Sequence, residues 1–183
     1  MSELVGASRI PGVRFLRHVR HEDRRGAFRE IWRASTFPDV GSGRFVQANL
    51  STSTKGVLRG LHFHRRQLDF WTVEGGIAFV ALVDIRPLLE RQGDRPAVET
   101  RTLQPDEAVV IPAGVAHGFL AIEDLDLLYL VTNEYDGTDE LGFAWDDPAV
   151  GVPWPSVDGP SGKPIVSDRD ATHPPLAEVV ARL

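Results

Sequence analysis

The spacing of short strand-like segments is the feature that most constrains the fold of this chain. About nine such segments follow one another, with turn signals roughly every 8 to 12 residues and almost no helical period. The segment from Ile77 to Ile85 is apolar on both faces, which predicts a strand that is covered on both sides. The chain is therefore predicted to form an all-β sandwich or small barrel with little helix.

One of these segments, residues 43–53, alternates apolar and polar side chains as a half-buried strand does. The apolar positions include Val46 and Leu50, and the polar ones are Gln47, Asn49 and Ser51. Amides and a hydroxyl suit an interior ligand cavity, although an ordinary solvated sheet face fits this strand equally well.

The part of the chain after the last predicted strand has a different character. Residues 133–175 are rich in Asp, Gly, Pro and Trp and show no sustained period. So long a stretch without regular structure is uncommon in a compact domain, unless it wraps the body or builds a site. Residues 87–96 are predicted to be a polar loop, and residues 176–183 one or two turns of helix.

Composition argues against two classes of partner. The chain has 183 residues, 42% hydrophobic and 25% charged, as expected for a single globular domain spanning residues 1–183. Its net charge of −6 disfavours nucleic acid and anionic membranes. Cysteine is absent, and we find neither a signal peptide nor an apolar run of about 20 residues. We expect a cytoplasmic protein without a membrane partner.

Histidines mark the candidate site. His62 and His64 are two residues apart in the segment from Gly56 to Gly76, so on a strand they face the same way. His117 lies in a second such segment about fifty residues later, within IPAGVAHGF. A single buried histidine is usually a core residue, but three in two matching segments indicate a functional pocket.

These segments resemble the cupin superfamily, and within it the dTDP-4-dehydrorhamnose 3,5-epimerase family. The cupin-like signatures are G-x5-H-x-H-x4-acid-x6-G from Gly56 and P-x-G-x2-H from Pro112. The epimerase resemblance covers most of the chain, in the order RGAFRE, FVQANLSTSTKGVLRGLHF, VDIR, IPAGVAHGFLAI, LYLVTNEY, WDDPAVGVPWP and SDRD.

The resemblance implies a cupin jelly-roll β-barrel and a homodimer that exchanges strands across its interface. It also implies roles for individual residues. His62 matches the family's general base, Asp170 the carboxylate paired with it, and Tyr129 the tyrosine that delivers a proton on the opposite face. The positions that match substrate-binding residues are Arg25, Glu30, Gln47, Asn49, Arg59 and His117.

The implied activity is an isomerase reaction in deoxysugar biosynthesis, of the kind that leads to rhamnose. C3, C5 or both would be inverted in a nucleotide-diphospho-4-keto-6-deoxyhexose, most simply a dTDP-sugar. Each C–H bond next to the C4 carbonyl is acidic, so a histidine base can form an enolate and a tyrosine can reprotonate it. This chemistry requires no cofactor and no metal.

Two departures from the family pattern leave an alternative open. Asp69 stands where the family usually has a lysine that stabilises the enolate, and His64 stands where glutamine is common. Either Arg65 or Arg66 replaces that lysine, with full or narrowed epimerase activity, or the chain has a different function.

The alternative is a metal-dependent cupin enzyme (an isomerase, lyase or dioxygenase). It would hold one divalent ion with His62, His64, Asp69 and His117. A non-catalytic sugar-nucleotide binder is a third class, but binding alone does not need a proton-transfer set.

Overall fold

Two β-sheets make up most of the fold. A computed structural model describes residues 2–36, 45–158 and 162–183. In chain order the strands are β1 (Ser2–Leu4), β2 (Arg14–His18), β3 (Arg20–Asp23), β4 (Gly26–Arg29), β5 (Gln47–Ser53), β6 (Leu58–Phe63), β7 (Asp69–Gly75), β8 (Ala78–Asp84), β9 (Ala97–Leu103), β10 (Glu107–Ile111), β11 (Val115–Ala121), β12 (Leu125–Val131) and β13 (Leu141–Gly142). The helices are α1 (Arg86–Leu89), α2 (Asp168–Ala171) and α3 (Leu176–Ala181), with a 3-10 turn at Ala34–Thr36.

Strand pairing joins segments that are distant in the chain. The first sheet has the order β1-β2-β10-β7-β12-β5, and the second has the order β13-β6-β11-β8-β9. Neighbouring strands in both sheets are antiparallel, and β3 and β4 form a separate hairpin. This is the predicted all-β architecture with little helix.

The main core lies between the sheets. Phe15 and Val109 of the first sheet pack in one cluster with Val80, Leu82 and Phe119 of the second. Burial of each such side chain stabilises the fold by about 1.5–3 kcal/mol relative to an exposed position. This core holds the two sheets, and with them the residues that line the site, in a fixed position relative to one another.

A second core covers the outer face of the second sheet. Ala81 and Val83 of β8 belong to it, whereas Val80 and Leu82 belong to the first core. The prediction that this strand is covered on both faces is therefore confirmed. The covering residues come from the C-terminal part of the chain and include Phe143, Val150, Leu176 and Val179.

Residues 133–175 contain little regular structure, as predicted, because they wrap this outer face. Buried Asp147 holds this segment in place. One of its carboxylate oxygens accepts a hydrogen bond from the Ala149 N–H at 2.8 Å, and the other accepts one from the Leu176 N–H at 2.8 Å. The second contact fixes the start of α3, within the predicted C-terminal helix. Before it reaches α3, the same segment places α2 at the edge of the site.

Other elements differ from the prediction. The polar loop at 87–96 begins inside a helical turn, α1, which has a proline in its first turn. Strand β1, which was not predicted, is a three-residue edge paired to β2. Strand β5 begins at Gln47, and residues 43 and 44 of that prediction lie outside the described residues. Within the described ranges, no helix is long and apolar enough to cross a bilayer.

Candidate active site

A cavity of about 830 Å³ is lined by both sheets and by the segment that leads into α2. Strands β5, β7 and β12 of the first sheet and β6 and β11 of the second contribute side chains to it. The predicted residues His62, Tyr129, Asp170, Gln47, Asn49, Arg59 and His117 all line this cavity, as do His64 and Asp69. Pairing of the strands, rather than nearness in sequence, brings them together.

His62 and Asp170 form a hydrogen-bonded pair. His62 Nε2 lies 2.8 Å from Asp170 Oδ1, and Asp170 is almost completely buried. The backbone N–H of Gly60 donates to Asp170 Oδ2 at 3.2 Å, and Ser167, the N-cap of α2, accepts from the Asp170 N–H. The carboxylate is therefore held from both sides against the histidine.

The charge of Asp170 follows from these contacts. Burial alone would raise the pKa of this carboxyl group. The hydrogen bond from His62, the imidazole charge, the Gly60 N–H and the Arg169 guanidinium outweigh burial and hold that pKa below its usual value. An ionised Asp170 can only accept a hydrogen bond, so Nε2 of His62 carries a proton; in the neutral form of the ring, Nδ1 then has the lone pair.

Two neighbours of this pair were not predicted. Arg169 Nη2 lies 3.2 Å from His62 Nε2 and 2.5 Å from Glu140 Oε1. His173 lies beside the pair, with its ring centroid 5.8 Å from that of His62 and its Nε2 3.7 Å from Asp170 Oδ1. The only sequence signal for them is that they flank Asp170 around a one-turn helix.

Tyr129 faces the cavity from the other sheet. It lies on β12, between β5 and β7, whereas His62 lies on β6. Burial, with smaller contributions from the carboxylates of Asp69 and Glu140, raises the pKa of the Tyr129 hydroxyl. This hydroxyl is therefore protonated at neutral pH and can act as a proton donor.

The polar face of β5 lines the cavity, as one of the two interpretations of this strand predicted. Gln47 Nε2 donates to Asn49 Oδ1 at 2.9 Å, and Gln47 Oε1 accepts from the Tyr135 N–H at 2.9 Å. The apolar face, in contrast, points outward: Leu50 is 62% exposed and Val46 is 51% exposed. Since β5 is an edge strand of its sheet, this places exposed apolar side chains beside the cavity.

Arg59 is the basic residue of β6 in this cavity. Its Nε donates to Ser53 Oγ at 3.1 Å, and its Nη2 lies 3.4 Å from the Thr52 carbonyl oxygen. These contacts with β5, a strand of the other sheet, hold an exposed guanidinium at the cavity wall. Such a group suits an anionic ligand.

Arg25 and Glu30 are not among the residues that line the cavity of their own chain. Arg25 lies at the exposed turn of the β3–β4 hairpin, where its Nη2 is 2.6 Å from Asp23 Oδ2. Glu30 is paired with Arg33 just after the hairpin. On the same hairpin Phe28 is 71% exposed. The predicted binding set is therefore divided between the cavity and an exposed hairpin.

The predicted metal set is also divided. His62 lies on β6 and pairs with Asp170, whereas His64 follows the end of that strand at Phe63. His64, Asp69 and His117 form a separate group, with His117 Nε2 3.0 Å and His64 Nε2 3.7 Å from Asp69 Oδ2. The four-residue set of the metal-dependent alternative is not formed.

Charges in this second group are set by burial and pairing. Burial opposes ionisation of Asp69, but the His117 hydrogen bond and the charges of both histidines hold the pKa of its carboxyl group below the usual value. Burial, followed by the charge of His117, lowers the pKa of His64. Arg66, a predicted substitute for the missing lysine, points away from this group and lies near Asp136 and Asp139.

Comparisons with known proteins identify the family of this chain. The family model described as dTDP-4-dehydrorhamnose 3,5-epimerase matches residues 7–178. The dTDP-4-dehydrorhamnose 3,5-epimerase of Methanothermobacter thermautotrophicus is 38% identical over 164 residues, which cover 86% of each chain.

Two solved structures show the same fold. One is the 3,5-epimerase RmlC of Legionella pneumophila in complex with dTDP-4-keto-L-rhamnose (TM-score 0.85, 28% identity, covering 100% of this chain and 96% of that one). The other is ChmJ, a 3'-monoepimerase of Streptomyces bikiniensis in complex with dTDP-quinovose (TM-score 0.82, 28% identity, covering 98% of this chain and 92% of that one). The predicted cupin-type jelly-roll fold is thus confirmed, and the chain belongs to the dTDP-4-dehydrorhamnose 3,5-epimerase family.

Proposed function

We propose that this protein epimerises C3, C5 or both in a dTDP-4-keto-6-deoxyhexose, with His62 as the base and Tyr129 as the acid. One observation carries the proposal. The His62–Asp170 pair and the Tyr129 hydroxyl line the same cavity but stand on opposite sheets. A sugar ring between them would meet a base on one face and a proton donor on the other.

The reaction follows from the protonation states. His62 Nδ1 removes a proton from the carbon next to the C4 carbonyl, and the electron pair moves onto the carbonyl oxygen as an enolate. The imidazolium that forms is stabilised by ionised Asp170, which also holds the tautomer that presents Nδ1. Tyr129 then donates its proton to the opposite face of the same carbon, which inverts it. Exchange with water resets both residues.

Binding of the nucleotide part is assigned to polar groups away from the proton-transfer pair. Arg59 supplies a guanidinium at the cavity wall, which suits a diphosphate. Gln47 and Asn49 present amide groups from β5. In the Legionella structure the ligand is a dTDP-4-keto sugar, which supports the same substrate class here.

We further propose a homodimer in which the β3–β4 hairpin of each chain completes the site of the other. Arg25, Glu30 and exposed Phe28 lie on or beside this hairpin, outside the cavity of their own chain. Leu50 on the edge strand β5 and Val46 immediately before it offer matching exposed apolar side chains. Covering these side chains with a second copy would bury apolar surface and bring an arginine to the nucleotide.

The activity is tested by deuterium uptake. Protein as purified is incubated with dTDP-4-keto-6-deoxyglucose in D2O, and the sugar is examined by NMR. Label at C3, C5 or both is expected, and the configuration of the labelled carbons in the NMR spectrum shows which of them is inverted. Absence of label with intact protein would overturn the proposed substrate, and label that persists in His62→Asn would overturn the proposed base.

The exchanged hairpin is tested by complementation. Coexpressed His62→Asn and Arg25→Ala chains form mixed dimers, in which one cavity has both His62 and a partner's intact arginine. If Arg25 acts across the interface, the mixture regains turnover well above that of either variant alone. If it acts in its own cavity, mixing restores nothing.

Dimerisation itself is tested on the apolar edge. Leu50→Asp should shift the protein toward monomer in sedimentation or light scattering, because it places a charge in the proposed interface. Leu4→Asp is the matched control, since Leu4 is 65% exposed on β1 at the opposite edge of the same sheet. Equal behaviour of the two variants would contradict this interface.

A further inference from the structure

We propose that Arg29 is a positioning residue, which together with Glu74 and Asp106 forms a latch that holds the β3–β4 hairpin in the position needed to complete a second chain's site. The inference rests on the proposed function, because it takes the exchanged hairpin from there. Arg29 is the last residue of β4, and it is not among the residues that line the cavity of its own chain. Its role is to place the side chains of the hairpin rather than to contact the substrate.

The hairpin needs such a latch because it belongs to neither sheet. Over the ranges that the structure describes, β3 and β4 pair with each other and with no third strand. One residue connects β3 to β2. All four residues of β3 and the first three of β4 are exposed, whereas Arg29 is partly buried. Beyond the short connection, side-chain contacts therefore have to set the angle between the hairpin and the body.

Arginines from both strands of the hairpin meet carboxylates of the body. Arg29 pairs through Nη2 with Glu74 of β7, and its Nε lies 3.0 Å from Asp106 Oδ1. Arg20 of β3 approaches the other oxygen, with Nη1 3.5 Å from Asp106 Oδ2. The side chains of Arg29, Glu74 and Asp106 are 20%, 23% and 17% exposed. Solvent ions screen such partly buried pairs less than they screen pairs on the open surface.

Both carboxylates are fixed to the body of the protein. Thr72 Oγ1 donates to Glu74 Oε1 at 3.2 Å and lies 3.0 Å from Nε2 of buried His18. The backbone of Asp106 is held on both sides, because its N–H donates to the Val73 carbonyl oxygen at 3.0 Å and its carbonyl oxygen accepts from the His18 N–H at 2.8 Å. The carboxylates are therefore the fixed half of the latch, and the arginines bring the hairpin to them.

Strand β7 separates the latch from the cavity. Asp69 and Trp71 of this strand line the cavity. Thr72 and Glu74 have the opposite parity, so their side chains lie on the other face of the sheet. The latch thus holds the hairpin on the face of the sheet away from the cavity of its own chain. From there Arg25 can serve a cavity only in another chain.

Loss of the latch should weaken substrate binding without slowing the chemistry. If Arg29→Met leaves the hairpin correctly placed for about one-tenth of the time, KM rises about tenfold, since affinity scales with the competent fraction. We expect kcat to stay within about threefold, because His62 and Tyr129 are unchanged. Arg29→Lys keeps the charge and should recover most of the affinity. Arg17→Met is the matched control, because it removes an ion pair of 2.5 Å to Glu107 that joins β2 to β10 instead.

The carboxylates should give the same result as the arginine. Glu74→Gln and Asp106→Asn should each raise KM, with the folded state checked by circular dichroism. Asp106 has a φ of +71°, which asparagine also tolerates, so this change removes the charge and leaves the backbone as it is. A fall in kcat at unchanged KM in Arg29→Met, or an equal rise of KM in Arg17→Met, would overturn the positioning role.

A mixed dimer tests whether the latch acts across the interface. Differently tagged Arg29→Met and His62→Asn chains are coexpressed, and the dimer that carries both tags is isolated. Its one working cavity combines the His62 of the first chain with the intact hairpin of the second. We expect this dimer to show the KM of the wild type. A KM as high as that of Arg29→Met alone would show that the latch serves its own chain, which overturns the proposal.

Further outcomes separate the latch from the proposed function. If mixed dimers of Arg25→Ala with His62→Asn regain turnover but those of Arg29→Met keep a raised KM, the exchanged hairpin stands and the latch is wrong. If the Arg25→Ala mixture regains nothing, the exchanged hairpin is wrong and the latch falls with it. Absence of deuterium uptake by the wild type would contradict the proposed activity alone. Amide hydrogen exchange of residues 20–30 then tests the latch: it should be about tenfold faster in Arg29→Met than in Arg17→Met, and equal rates would overturn it.

Discussion

Replacement of Asp170 by asparagine should slow epimerisation by about 10²–10⁴-fold. A hydrogen bond to a charged partner is worth about 1.5–3 kcal/mol, and each 1.36 kcal/mol is a factor of ten, so loss of the 2.8 Å bond to His62 alone predicts about 10- to 150-fold. An asparagine N–H facing His62 Nε2 would also favour the wrong tautomer, with Nδ1 protonated. In the serine protease triad the same change costs about 10⁴-fold.

The assay is the initial rate of deuterium uptake at saturating substrate. Asp147→Asn is the matched control, because Asp147 is also a buried carboxylate that accepts backbone N–H bonds, but it lies outside the cavity lining. We expect that variant to lose stability toward urea and to keep the catalytic rate per folded molecule within about threefold. If Asp170→Asn retained a rate within threefold of the wild type, Asp170 would not control the state of His62.

Two further predictions separate the acid from the base and test the packing beneath the site. In Tyr129→Phe, inversion should fall by about 10²–10⁴-fold while exchange without inversion continues, since His62 can still remove and return a proton on its own face. NMR of the recovered sugar distinguishes exchange from inversion. Loss of exchange together with inversion would contradict the division of roles between the two residues. Gly60→Ala should lower the free energy of unfolding by about 2–5 kcal/mol, because Gly60 has a φ of +129° and a Cβ there would lie 2.7 Å from Gly118 Cα. Gly26→Ala is its control, with a φ of +130° but no atom within 4 Å, so an equal loss in urea unfolding would show that the close contact does not matter.

The strands were predictable because their signals are local. Short stretches of sequence show the alternation in β5, the two apolar faces of β8 and the turn residues between strands. Both strands are present in the structure. Residues that cover the outer face, such as Phe143 and Val150, carry no period, because they contact the sheet one at a time along an irregular path. Their role emerges only when the sheet they cover exists.

Most of the residues that line the cavity were predictable, but their grouping was not. His62, Tyr129 and Asp170 were assigned through the family resemblance, and all three line the cavity. The proximity of Arg169 and His173 to this pair depends on how α2 docks against β6, which leaves no pattern in the sequence. Their identification therefore required coordinates.

The sequence by itself determined that this chain is a β-protein with a histidine-lined pocket, and which family it resembles, because strand periods and motifs are read within one stretch of chain. Tertiary structure alone decided that His62 belongs with Asp170, and that His64 belongs with Asp69 and His117. It also decided that the apolar face of β5 points outward, beside an exposed hairpin that carries Arg25. The physical reason is that the side chains that meet in the folded chain are set by strand register and by where each strand ends, and both result from packing of the whole chain.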